Sequence, residues 1–216
     1  MGANEIPHAD IPLRELKKAR SKIALYEAAL SLLGDKMFRD VMLDDICRRA
    51  EVSRVTFFKF FQSKDDLLLY FMRVWLTERI IEIEEERKRG FGAIRHLLHH
   101  VAERSRHQAG LVPSLIAFLA EKNMHPCMPE LSQAEVRLLF PGHERQGAVS
   151  PDMFELFRRC MTEASADGTL RPEITAEFAV KGLFTIFYGA FLTAQLYAST
   201  DIAGLYEAHL QLLENR

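Results

Sequence analysis

Cysteine, tryptophan and strand-like alternation are all scarce in this chain. Its 216 residues include three cysteines and a single tryptophan. Cys47, Cys127 and Cys160 are odd in number and show no paired metal spacing, which argues against a disulfide scaffold and suits free thiols in a reducing cytoplasm. Apolar residues recur at three and four rather than two, so no sheet is expected. Catalytic signatures are missing too: there is no Gly-rich phosphate loop, Gly-x-Ser-x-Gly elbow, Cys-x-x-Cys or His-Glu-x-x-His. The acid pairs Asp44-Asp45 and Asp65-Asp66 stand at helix starts, where carboxylates have a structural task. An enzyme is not expected, and no cofactor is. Met1 to Ile11 lacks the basic start and apolar core of a signal peptide, and residues 1–12 read as a mobile tail.

What is present is a helical pattern with 48% hydrophobic residues, enough for a sizeable core. Leu16, Ala19, Ile23, Tyr26, Leu30 and Leu33 form one stripe, which predicts a first helix from Leu13 to Leu33 ended by Gly34. Further helices are expected from Lys64 towards Lys88, from Phe91 to Ala109 and from Val112 to Asn123. A broken region around a short helix at Leu131–Leu139 follows. Ser150-Pro151-Asp152, Arg171-Pro172 and Thr200-Asp201 open the last three. In the Lys64 helix, Glu84–Lys88 and Glu85–Arg89 have the favoured four-residue spacing, and Gly90 offers its end.

Formal net charge is −2, yet it is unevenly spread. From Pro12 to Trp75, thirteen Lys and Arg oppose nine Asp and Glu, a surplus of +4; the residues after Trp75 carry −4. Basic character therefore gathers in the N-terminal third, as a nucleic-acid reader requires.

That third holds the most informative stretch, residues 43 to 67. Leu43, Ile46 and Ala50 recur at helical spacing, Val52 follows at once, and Ser53 is placed to cap a second short helix. The second helix sets Arg54, Thr56 and Lys59 among aromatics that must pack inward, and a major groove admits such a helix. Ser63 would cap the next helix, whose first turn holds Lys64, Asp65 and Asp66 and would attract phosphate.

Asp45-Ile46, Ala50-x-Val52-Ser53, Thr56, Phe58-x-x-Phe61 and Ser63-Lys64-x-x-Leu67 fall in one register. Through them, residues 19 to 67 resemble the N-terminal domain of the TetR family of transcription regulators. The resemblance implies an all-α protein, with a three-helix helix-turn-helix domain over residues 13–69 and a helical ligand-binding and dimerisation domain over 70–216. It implies double-stranded operator DNA, a small-molecule effector and a second copy as partners, with release from the operator on ligand binding. Arg48, Arg49, Ser53, Arg54, Thr56, Phe58, Lys59 and Lys64 are the expected DNA-binding residues.

The chain departs from the family pattern at several places. Glu51 and Val55 stand where Gly is usual, and Met42 replaces a capping Thr, with Asp45 left to reach back as half of a capping box. Phe58 stands where the family usually has a Tyr that meets a phosphate, and Phe60 where a polar aromatic is common. These departures motivate an alternative, a helical ligand-binding or interaction protein with a degenerate reader.

In the second domain, surplus apolar groups point to a pocket lined by Phe118, Met124, Met128, Phe154, Phe157, Met161, Phe184 and Tyr188. Gly182 and Gly189 lie seven apart, flanked by Leu183, Phe187 and Phe191, and predict a four-helix dimer seam; the other reading is an intramolecular core. The run Gly182 to Ser199 lacks charge, but Thr185, Tyr188, Thr193 and Gln195 interrupt it and no basic cluster flanks it, so no membrane partner is expected. His96, His100, Glu103 and His107 share one helix face at spacings that can present metal ligands. Arg95, Arg104 and Arg106 share that helix, and a polar face with several His is usually only solvated, so no metal is expected.

Overall fold

The computed structural model describes residues 11–122 and 127–215, and every regular element among them is a helix. Eleven α-helices run in chain order: α1 Leu13–Leu33, α2 Leu43–Arg49, α3 Arg54–Phe60, α4 Asp66–Glu85, α5 Gly90–His107, α6 Leu111–Lys122, α7 Gln133–Leu139, α8 Glu144–Ala148, α9 Met153–Ala166, α10 Ala176–Leu196 and α11 Ile202–Leu210. A short 3-10 turn at Phe38–Asp40 joins α1 to α2. The expected 1–12 tail lies almost wholly outside the described residues, as do Met124 and the end of the helix expected to reach Asn123.

Side-chain caps set five of the helix starts. Ser53 accepts from the Thr56 amide at 3.2 Å to begin α3. Ser132 and Glu135 form a reciprocal capping box at α7, and Thr175 caps α10. At α9 the cap is Asp152, not Ser150, and at α11 it is Asp201. Met42 gives α2 no side-chain cap; Asp45 pairs with Arg48 at 3.1 Å instead of reaching back. Ser63 does not cap α4 either: the Asp66 carboxylate accepts from the Gln62 and Ser63 amides, tying the turn down from inside the helix.

α4 ends at Glu85, earlier than expected, because Arg87 takes a left-handed backbone (φ 51°). The expected four-residue pairs are therefore not made: Lys88 pairs with Glu86, and Arg89 reaches Asp167. Gly90, also left-handed (φ 48°), opens α5 rather than closing α4.

α1, α2, α3 and the first turns of α4 enclose Leu25, Ile46, Phe57, Phe61 and Tyr70. In the remainder, α9 packs on α5 and α10, and α11 packs on α10 and α5. α10 is long and apolar enough to span a membrane, but Val180, Leu183, Ala190 and Phe191 are buried as in a core helix.

The two groups of helices meet at a close junction. The Gly110 amide donates to Gly34 O at 3.2 Å, and a Cβ at Gly110 would lie 1.7 Å from Lys36 O, so only glycine fits there. Gln108 Nε2 donates to Leu30 O at 3.0 Å, and Ser114 Oγ accepts from the Phe38 amide at 2.7 Å. α7 also packs on α1, joined through Glu135.

Candidate nucleic-acid interface and ligand cavity

α2 and α3 are joined by a turn in which Glu51 adopts φ 55°, the left-handed conformation that glycine favours. Phe57 and Phe61 anchor α3 inward, which turns its other side to solvent. Arg54, Phe58 and Lys59 are exposed there, as are Ser53 beside them and Arg48 and Arg49 on α2. Thr56 is half-buried, and its hydroxyl lies 3.0 Å from Ser53 Oγ. Phe58 is 52% exposed, with its ring edge-on to Phe57, and Val55 one turn before it is also exposed, so two apolar groups stand among the polar and basic residues of that face.

Arg54 Nη1 lies 3.2 Å from Asp44, an exposed pair that DNA can replace at little cost. An open groove between α3 and the start of α1 is walled by Thr56, Lys59 and Phe60 on one side and by Arg14, Lys17 and Lys18 on the other. The α1 basic residues were not among the expected contacts. Their sequence signal is the basic run Arg14, Lys17, Lys18, Arg20 on the polar side of the first stripe.

Lys64, expected at a phosphate partly through its backbone amide, has its side chain engaged within the protein. Its ammonium donates to the carbonyls of Phe38, Arg39 and Val41 at 2.8, 3.0 and 2.8 Å, and it lies over the Phe38 ring. Burial pulls its pKa below the ordinary lysine value. The side chain is a strut holding the 3-10 turn to α4, with its donors already used.

In the larger bundle, α4, α5, α6 and α10 surround an apolar cavity of about 50 Å³. Phe71, Trp75, Leu115, Met128, Phe187 and Tyr188 belong to its wall, and among the described residues Arg104 is the one charged group in it. Of the expected lining residues, Met128 and Tyr188 are there. Phe157 and Met161 are wholly buried on α9 in the core instead, and Phe118 faces a shallow surface hollow beside Phe38. Phe154 is 46% exposed and stacks on Phe184, away from the cavity. Phe187, expected at a dimer seam, lines the cavity. Helical spacing could not find Trp75 or Phe71, because α4 is buried around most of its circumference.

Leu183 and Phe191 are 1% and 0% exposed within one protomer, so they belong to its core rather than to a seam. A Cβ at Gly189 would meet nothing, and one at Gly182 would make ordinary contact with Leu213. The outward stripe of α10 is Phe178, Leu192 and Leu196, at 63%, 45% and 84% exposure. His96 and His100 meet Glu82 of α4, whereas Glu103 pairs with Arg106 and His107 is exposed.

Residues 25–71 match the model of bacterial regulatory proteins of the tetR family. No curated protein matches the chain in sequence. Solved structures share its fold. The reduced form of E. coli NemR is 16% identical with a TM-score of 0.58, covering 90% of this chain and 98% of that one. Thermus thermophilus FadR, a TetR-family transcriptional repressor in complex with lauroyl-CoA, is 22% identical with a TM-score of 0.55 over 88% and 92%. A TetR-family regulator from Marinobacter aquaeolei is 15% identical with a TM-score of 0.56 over 94% and 100%. Fold and reader together define a helix-turn-helix protein carrying an all-helical second unit. Residues 25–71 are thus similar to the DNA-binding unit of the tetR family, and the whole chain shares the fold of solved TetR-family regulators.

Proposed function

We propose that the protein is a cytoplasmic, homodimeric, one-component repressor that leaves its operator when a small apolar or amphipathic molecule enters the α4–α5–α6–α10 cavity. The observation that carries this reading is the position of α4. Tyr70 near its start packs on α1 in the reader, while Phe71, the next residue, and Trp75, one turn further on, wall the cavity. The boundary between reader and sensor therefore falls inside a continuous helix, near Tyr70, and movement of the cavity wall is movement of the reader.

A drug-sized ligand fills about 300–1,000 Å³. The cavity at about 50 Å³ is far smaller, so entry must part its walls. An apolar cavity exposes no group that water satisfies well, and a ligand with an apolar body gains the contacts that water cannot. Arg104 is the wall group that would meet a polar end; the acyl ligand of the structurally similar FadR is of this general kind. Arg48, Arg49, Arg54 and Lys59 would contact DNA, Arg54 at base edges from the first turn of α3, with Arg14, Lys17 and Lys18 on the backbone.

The test is selection of bound fragments from genomic DNA, followed by affinity measurement across a salt series with and without apolar ligands. A selected site whose binding falls steeply with salt, and falls again with a ligand, supports the reading. Salt-insensitive binding with no selected sequence overturns it.

A further inference from the structure

We propose that Glu82, His96 and His100 form a site for one divalent first-row transition-metal ion, of the zinc or cobalt type, on the seam between α4 and α5. His96 and His100 stand one turn apart on α5 and face the Glu82 carboxylate of α4. One donor atom of each lies within 4.8 Å of the other two. Glu82 Oε2 is 2.8 Å from His96 Nε2 and 3.4 Å from His100 Nε2. Tetrahedral bonds of about 2.0–2.1 Å place donors roughly 3.4 Å apart, so side-chain shifts of about 1 Å close the set around an ion. Both helices are several turns long and packed together, so the backbone need not move.

The donor set selects the class of ion. Two imidazoles and one carboxylate suit zinc, cobalt, nickel or copper, whereas magnesium and calcium prefer oxygen donors throughout. Three protein ligands leave a fourth position for water or an incoming donor. Arg79 fixes the carboxylate from behind: it donates to Glu82 Oε1 at 2.5 Å, and Oε2 is left facing the histidines. Outer groups that orient a ligand in this way are a usual part of metal sites.

Two cations compete with the ion. Lys88 Nζ lies 3.0 Å from His96 Nδ1, and Arg79 Nη1 lies 3.3 Å from His100 Nδ1. An ammonium can only donate, so His96 Nδ1 is the acceptor there and its Nε2 carries the proton that faces Glu82. Metal at Nε2 requires the ring's single N–H proton to shift from Nε2 to Nδ1, and Lys88, which donates to Nδ1, to swing away. Lys88 has a long flexible stem, is partly exposed and already has Glu86 as a second partner. Lys88 and Arg79 together hold the metal-free arrangement: Lys88 must leave His96 Nδ1, and Arg79 Nη1 must release His100 Nδ1 while its Nη2 stays on Glu82.

The experiment uses the full-length, tag-free protein stripped with chelator and titrated with cobalt(II), then zinc, by absorbance and calorimetry. One cobalt per protomer, with visible ligand-field bands that zinc abolishes, is expected. His96→Gln and His100→Gln should each weaken binding at least tenfold while circular dichroism stays unchanged. Lys88→Met should tighten it several-fold, and His107→Gln should leave it unaltered. Absence of cobalt bands and of zinc heat in both the wild type and Lys88→Met overturns the proposal and leaves the cluster an ion-pair clasp. Loss of binding in His107→Gln with retention in His96→Gln overturns it as well, by placing the ion elsewhere.

Discussion

Glu135 on α7 and Lys22 on α1 meet at 2.8 Å across the junction between sensor and reader, with Glu135 only 4% exposed. The same carboxylate oxygen accepts the Tyr70 hydroxyl of α4 at 2.8 Å, and the other accepts from Ser132. Lys22 in turn lies over the Tyr70 ring at 4.8 Å. One capping-box acid therefore ties α7 to both α1 and α4. Met128, a few residues before α7, lines the cavity. This gives the second group of helices a further hold on the N-terminal one, in addition to the Gly110 junction.

Lys22→Met should destabilise the protein strongly, because it leaves a buried carboxylate unpaired. Breaking such a pair typically costs about 3–5 kcal/mol, and replacing both partners costs far less. Lys22→Met with Glu135→Gln should therefore recover most of the loss in urea unfolding. Equal destabilisation of the single and double variants would show that the pair is not coupled.

Acid should act through the same residue. Burial alone would raise the Glu135 pKa, but hydrogen bonds from Lys22 and Ser132 and the Lys22 charge outweigh it and hold the carboxyl below its ordinary value. A depressed folded pKa means that the unfolded chain binds the proton more tightly. The contribution is then complete above the unfolded value of about 4.3 and is lost as pH falls through the lower folded value. Glu135→Gln should flatten the acid limb of a stability–pH curve below about pH 4.5, in the window set by that ordinary value. An unchanged slope there would assign acid sensitivity to other carboxylates.

Much of this arrangement was legible in the sequence, and the exceptions share physical causes. The all-helical class and the bounds of α1 followed from an apolar stripe on a polar helix, where period and burial agree. Ser53 announced α3 because its hydroxyl has one good use there. α10 was harder: it is apolar on both faces, so spacing could not tell Leu183 and Phe191, turned to their own core, from Leu192 and Leu196, turned out. Lys64 and Glu135 were misread or missed because their partners lie 23 to 113 residues away. Nothing local distinguishes an ammonium that will meet three carbonyls from one that will meet a phosphate.

Glu51→Gly should stabilise the reader. At φ 55° a side chain costs roughly 1–2 kcal/mol, and glycine removes that strain while making the unfolded chain somewhat more flexible. A net gain of about 1 kcal/mol should raise Tm by about 2–4 °C in a protein of this size. A fall in Tm would mean that exposed Glu51 makes a stabilising contact outweighing its strain.

Leu192→Glu with Leu196→Glu should convert the proposed dimer to monomers. Both side chains are exposed on α10, and neither supports the protomer's own core. If another copy of α10 packs on this stripe, two carboxylates there would bury unpaired charge, which an interface tolerates poorly. Sedimentation should show half the mass with helicity unchanged, and operator affinity should collapse because paired half-sites need linked readers. A variant that sediments as an intact dimer would move the seam off this stripe.

Phe58→Tyr tests the departure with the most direct bearing on DNA. The ring is 52% exposed on the outer face of α3 and edge-on to Phe57, so its para position can extend into solvent without a new cavity. A hydroxyl there adds a donor where the TetR family usually has one. A hydrogen bond to a charged phosphate is worth about 1.5–3 kcal/mol before the loss of hydration is subtracted. Affinity should therefore rise modestly, by up to about tenfold, which corresponds to 1.4 kcal/mol. The gain should be similar on operator and random fragments, since phosphates carry no base identity. Arg54→Ala should do the opposite, costing about 1–3 kcal/mol on the operator and far less on random DNA, because a base contact discriminates. Thermal stability of Phe58→Tyr should stay level, for an exposed hydroxyl keeps its water until DNA arrives. A drop in stability with unchanged DNA affinity would mean that the ring turns inward in solution, and that α3 presents a different face to the groove.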